Sequence, residues 1–207
     1  MTNPAPAGCS ASYGYEVPVV APPVVSGAHP TLLCTDQADG SLRLEGTDFL
    51  KIGERLPEVT LDGVAVVTAS AEGCAAFPLG SQMDVERCTG LLLTVPQGTL
   101  QAGPVSIGVV NPTPIRCAAV FDGLLVAPPA VVVSTVEPPA VCAANGDLEV
   151  ALQGDGFLEI AGQGPTVTIG NVLRTVSGLG GCTDLGVPGL AVRSCSLITV
   201  QLAAGTD

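Results

Sequence analysis

A segment of 72 residues occurs twice in this chain. A shift of 108 residues lays Asn3–Cys74 on Asn111–Cys182 without a gap, and 22 of the 72 aligned positions are identical. Cys9 falls on Cys117, Cys34 on Cys142 and Cys74 on Cys182. Gly46 and Phe49 fall on Gly154 and Phe157, and Pro57, Val59 and Thr60 fall on Pro165, Val167 and Thr168. Beyond Cys74 small gaps enter: Cys88 aligns with Cys195, and "LLLTV" with "SLITV". Repetition at one period requires each copy to be a similar structural unit. It also explains why "NPAPAGC" at the start returns as "NPTPIRC" in the middle: the first reads as the tail of a preceding unit.

Within each unit the apolar residues come in short runs broken by turn residues. "GSLRLEGTDFL" alternates Leu42 and Leu44 toward Phe49, with a turn expected at Gly46. "LPEVTLDGVAVV" places Asp62-Gly63 between two alternating stretches, and the second unit carries Gly170-Asn171 there. Both dipeptides are two-residue hairpin signals. "GLLLTVP", "GPVSIGVVNP" and "AVFDGLLVAP" follow, and the next unit opens with "AVVVSTVEPP". About seven strands per unit, with turns every ~8–12 residues, is the pattern of a β-sandwich. The chain has 26 Gly and 18 Pro, but 47% of it is apolar, too much for simple disorder. No apolar run approaches the ~20 residues of a membrane helix.

Taken in order, "LRLEGTDFL", "PEVTLDG", "CTGLLLTVPQG" and "AGPVSIGVVNP" resemble the IPT/TIG domain, an immunoglobulin-like fold that occurs in tandem on bacterial surface proteins. The family's Asn-Pro-x-Gly is replaced here by "NPTP" and "NPAP", so a longer hairpin is expected after it. The resemblance implies an all-β chain of two tandem immunoglobulin-like sandwiches, at residues 22–128 and 129–207. The second lacks counterparts of "GPVSIGVVNP" and "AVFDGLLVAP". Residues 1–21 read as an orphan final strand of a preceding repeat, or as a donor strand. Head-to-tail complementation between copies and a piece of a longer array both fit that pattern. The bias toward Ala, Gly, Val and Arg, with scarce Lys and Asn, suits a high-GC bacterium.

Charge excludes some functions. The formal net charge is −12, with only 7 Lys and Arg in total. Nothing neutralises phosphates, so nucleic acid is not an expected partner, nor is an anionic membrane surface. The acidity serves solubility. The core has no Trp and only four Phe, so Val, Leu and Ala must build it. A unit of ~100 residues buries only about two thirds of its surface, and cross-links or neighbours help it.

The eight cysteines provide candidate cross-links. Zinc favours Cys-x-x-Cys knuckles, which are absent, and the single histidine, His29, aligns with Glu137. Disulfides are expected instead, and with them an oxidising, extracellular or cell-surface location. Cys74–Cys88 and Cys182–Cys195 close short loops. Cys9, Cys34, Cys117 and Cys142 stay open between local pairing (Cys9–Cys34, Cys117–Cys142) and bonds to neighbouring units or chains. "PAGC" at Cys9 resembles a lipoprotein box, but no basic and apolar leader precedes it and the repeat explains this cysteine.

No catalytic set is legible. Asp36, Asp39, Asp62, Asp84 and Asp155 have no spacing that fixes a carboxylate pair or a calcium loop. His29 has no repeated partners. We expect no enzyme activity, no metal and no cofactor. Two functions remain. One is a structural repeat protein forming a stalk, fibre or surface filament with other copies of itself or neighbouring repeats. The other is an adhesin-type module gripping a glycan or protein through sandwich-end loops. Few exposed aromatics are available for glycan stacking, which favours the first.

Overall fold

The computed structural model describes residues 19–34, 39–78, 84–140 and 148–202. Among them every regular element is a strand. The first unit contains β1 (Val24–His29), β2 (Gly40–Ile52), β3 (Glu58–Leu61), β4 (Val64–Glu72), the short β5 (Ala75–Ala76), β6 (Val85–Val95), β7 (Gly103–Val110) and β8 (Ala118–Ala127). These form two sheets. One runs β1-β2-β6 and continues into the second half of β4; the other runs from the first half of β4 through β3 and β7 to β8. Strand β4 thus belongs to both: Val64–Val66 pair with β3, and Val67–Glu72 pair with β6. Just past β1 the chain pairs in parallel with the end of β8. There Val126 donates to the Thr31 carbonyl, and Leu33 donates to the Val126 carbonyl. This strand order and the parallel closure at the edge make an immunoglobulin-like sandwich.

Period-2 alternation decides which side chains enter the core. Leu42 and Leu44 of β2 and Leu91 and Leu93 of β6 face inward from one sheet. Val59 and Leu61 of β3, and Val105, Ile107 and Val109 of β7, meet them from the other. All are at most 1% exposed. Each such Leu or Ile contributes ~1.5–3 kcal/mol by leaving water, so aliphatic packing suffices without Trp.

The second unit repeats half of this plan in full. Strands β9 (Val132–Glu137), β10 (Leu148–Ile160), β15 (Val192–Leu202) and β13 (Val176–Gly180) form the sheet equivalent to β1-β2-β6-β4, with the short β14 (Thr183–Asp184) beside β15. Among the described residues, the hairpin of β11 (Val167–Ile169) and β12 (Val172–Arg174) is what stands opposite it. Both hairpin turns use left-handed backbone at both central residues: φ is 49° and 80° at Asp62-Gly63, and 59° and 62° at Gly170-Asn171. That is the geometry such dipeptides favour.

The turn expected at Gly46 is not one. Strand β2 runs straight through it, with a bulge between Glu45 and Phe49. The glycine serves close approach instead. A Cβ on Gly46 would lie 1.9 Å from the Val24 carbonyl oxygen and 2.7 Å from Phe49 Cζ. One on Gly154 would lie 1.9 Å from the Val132 oxygen and 2.7 Å from Phe157 Cζ. Either substitution must push β1 or β9 off its neighbour and shift a buried Phe. Gly46→Ala and Gly154→Ala are each expected to destabilise their own unit by ~3 kcal/mol or more. Denaturant unfolding checks this, and a loss under ~1 kcal/mol would contradict the packing account.

Candidate functional site

The cysteines divide by position. Cys74 and Cys88 are bonded (S–S 2.07 Å), as are Cys182 and Cys195 (2.10 Å). In each pair one member, Cys88 or Cys195, is buried in its unit's core. Glu159 lies close to the second bridge, but sulfur held in a disulfide offers no thiolate to a metal. Cys34 and Cys117 are free thiols at opposite ends of the first unit. Cys34 follows Leu33 where the chain pairs with Val126. Cys117 lies at the other end, its sulfur 3.8 Å from the Val20 carbonyl oxygen. Cys9 and Cys142 lie outside the described residues.

The acidic residues and His29 serve as local braces. Asp62 accepts from the Ser106 amide and Asp155 from the Gly156 amide. His29 Nε2 sits 3.4 Å from Glu45. Arg43 bonds both Glu45 and Glu72, which holds its guanidinium pKa above the ordinary value. Arg43 in turn lowers the Glu45 carboxyl. These groups are well exposed, where ion pairs contribute little. Asp39 and Asp84 are exposed, and Asp36 lies outside the described residues. No nucleophile–base–orienter geometry arises among the described residues.

The feature that the sequence reading missed is a pair of matching apolar sockets, one at the same end of each unit. In the first, Leu50, Ile52 and Val85 pack with Phe77, Ile115 and Val20. In the second, Leu158 and Val192 pack with Leu185, Val187, Leu32 and Val126. Leu158, Val192 and Leu185 are the repeat counterparts of Leu50, Val85 and Phe77. The inserted valine is also repeated: Val20 and Val126 each begin a Val-Ala-Pro-Pro run. Val126 is next to last in β8, the final strand of the first unit, and is 2% exposed, packed against the second unit. The same plug enters the same socket twice. The signal was present in the sequence, but two extra residues after the second Pro-Pro put the valines 106 apart rather than 108.

The bulge builds the socket. It turns consecutive residues toward different cores. Phe49 enters the sandwich while Leu50 faces its end, and Phe157 and Leu158 do the same. In the first unit an Asn-Pro turn closes the socket. Asn111, 1% exposed, accepts from the Leu50 amide through Oδ1 (2.9 Å) and donates through Nδ2 to the Asp48 carbonyl (2.9 Å). Its own amide donates to the Cys117 carbonyl (2.9 Å). Arg55 Nη1 donates to Thr113 Oγ1 (2.8 Å) and steadies the turn. In the second unit the equivalent place is an open cleft of about 430 Å³, lined by Phe157, Leu158, Ile160, Gln163 and Pro165. Among the described residues, the outer edge of β11 is paired with nothing, whereas its counterpart β3 pairs with β7.

No protein-family model matches the sequence, and no curated protein does. Among solved structures, three tandem immunoglobulin domains of titin, in a Glu-to-Ala variant, align at 12% identity and a TM-score of 0.27. The alignment covers 90% of this chain and 56% of that one, so this chain spans just over half of that length. The immunoglobulin-like character stands on strand order and sheet pairing.

Asn111→Ala removes both ties and leaves the Leu50 amide buried without an acceptor. It is expected to destabilise the first unit by ~2–3 kcal/mol, which chemical denaturation will read. Reducing either disulfide is expected to cost ~3 kcal/mol by loop closure. A second-unit transition unmoved when Cys182 and Cys195 are both changed to Ser would contradict that figure.

Proposed function

We propose that this chain is an extracellular structural repeat protein of the IPT/TIG type, whose units stack end to end as a stalk or surface filament. The observation that carries the reading is the repeated plug and socket. A contact made by the same residue types, at the same place on both units, is what an array needs in order to continue with one geometry. Each joint excludes water from a valine and several aliphatic neighbours, and the backbone hydrogen bonds from Leu33 to the Val126 carbonyl and from Val126 to the Thr31 carbonyl tie strand to strand beside it. Such a joint limits bending between units, a property of use in a stalk and of little use in an isolated binding loop. Two disulfides, each inside one unit, fit an oxidising compartment and resist unfolding under load. The acidic surface keeps neighbouring filaments apart.

Val126→Asp tests the reading. A carboxylate in the socket has no partner among its aliphatic neighbours and will leave it for water. The two units are then expected to move independently, with a larger radius of gyration by small-angle scattering and two separated unfolding transitions. A scattering profile that superimposes on the unaltered protein would show that the valine sets no geometry, and the stacked-array reading would fall.

A further inference from the structure

The joint between the two units shows what stands on a socket. Val126 and Leu32 of the first unit enter it together, against Leu158, Leu185 and Val192. Backbone bonds fix the two segments to each other. The Thr31 carbonyl accepts from the Val126 amide (3.0 Å), and the Leu33 amide donates to the Val126 carbonyl (3.1 Å). Thr31–Leu33 therefore lie along the plug as a ledge, and Cys34, an exposed free thiol, is the next residue. The first unit's socket holds the equivalent plug, Val20, and there a second free thiol meets the plug from the receiving side. The Cys117 sulfur lies 3.8 Å from the Val20 carbonyl oxygen. The carbonyl that Leu33 bonds at one joint is thus the carbonyl that Cys117 approaches at the other. We propose that Cys34 and Cys117 are the two halves of one kind of inter-unit disulfide. Cys117 bonds the cysteine at Cys34's place on a further unit of this repeat, seated on the first socket as the first unit is seated on the second. The proposal rests on the stacked-array reading and adds a covalent lock to its joint.

Reach supports the pairing. A disulfide spans Cα separations of about 4.4–6.8 Å, and one peptide step is about 3.8 Å. Cys34 stands one such step beyond the amide that bonds the plug carbonyl, and the Cys117 sulfur contacts the equivalent carbonyl directly. The same two cysteines cannot meet each other within this chain. Cys117 immediately precedes β8 and Cys34 lies beside its far end, with 10 residues between at about 3.3 Å each. The bridges Cys74–Cys88 and Cys182–Cys195 are complete and offer neither of them a partner. The bond forms by thiol–disulfide exchange. The two facing thiols give two protons and two electrons to a disulfide of the oxidising compartment, which leaves as two thiols. The link is heterologous, with a different cysteine from each unit, so it repeats from joint to joint without closing.

The full chain, with its two disulfides intact, is offered a synthetic peptide of residues 29–34 whose cysteine carries a thionitrobenzoate leaving group. Glutathione activated in the same way serves as the reference. Peptide mapping by mass spectrometry reads the rate of capture at each cysteine. Cys117 is expected to take the peptide about tenfold or more faster than it takes glutathione, because Leu32 and the Leu33 amide seat the peptide beside Val20. Cys34, which stands on the plug side of its joint, should show no such preference. Leu32→Asp in the peptide should abolish the preference at Cys117. Equal rates at Cys117, the same preference at Cys34, or a preference that survives Leu32→Asp each overturn the inter-unit bond. All three leave the stacked array standing, since scattering of Val126→Asp tests that separately. In material from the native source, Cys117 should be held in a disulfide, and a free Cys117 thiol there overturns the proposal as well.

Discussion

A single bulge in one strand organises each unit. Between Glu45 and Phe49, and again between Gln153 and Phe157, the ladder shifts register and the strand continues. Alternation along a regular strand sends neighbours to opposite faces, so one of them faces solvent or another layer. The bulge breaks that rule. It buries Phe49 and Leu50 in succession, the first between the sheets and the second at the end of the sandwich. Gly46 and Gly154 make it possible, because only a residue without Cβ lets the carbonyl of the adjoining strand come so near. Sandwich core and end socket therefore share one structural cause, and the joint between units is a consequence of how each unit folds.

The two units differ in what stands opposite the sheet they share. In the first, β7 and β8 cover Val25 and Ala28 of β1, which are 5% and 1% exposed. Their counterparts Val133 and Val136 are 53% and 44% exposed. Val59 and Leu61 are buried, while Val167 and Ile169 are only partly so. The sheet that carries the disulfide is formed in both. Its pairing, bulge and bridge are all internal to β9, β10, β13, β14 and β15 or their first-unit counterparts, so it does not require the second layer for its register. Among the described residues of the second unit, a strand edge and an aliphatic floor lie side by side.

Charge plays a different part. The ion pairs of Arg43, Lys51, Arg87 and Arg193 lie on strand faces and link neighbours within a sheet. Glu86 raises the Lys51 pKa from its ordinary value, and keeps that ammonium paired. Hydrophobic contact sets the geometry of core and joint, and the ion pairs brace the outer faces of the strands.

How far the sequence determined this protein depends on the range of the interaction. The repeat, the hairpin turns at Asp62-Gly63 and Gly170-Asn171 and the strand alternation were legible, because each is written within a few residues. The short-loop cysteine spacing was legible for the same reason. Gly-x-x-Phe was visible as a motif, but its meaning changed from turn to bulge, since only the neighbouring strand's carbonyl shows why a side chain is excluded. Tertiary structure alone decided that Asn111 is a buried tie across 61 residues to Leu50, that β4 serves both sheets, and that Cys34 and Cys117 stand at opposite ends. It also revealed Val20 and Val126 as equivalent plugs, because packing is indifferent to the two-residue insertion that hid their equivalence in the aligned sequence. Local backbone preference is carried by neighbouring residues, whereas a socket exists only once distant strands have met.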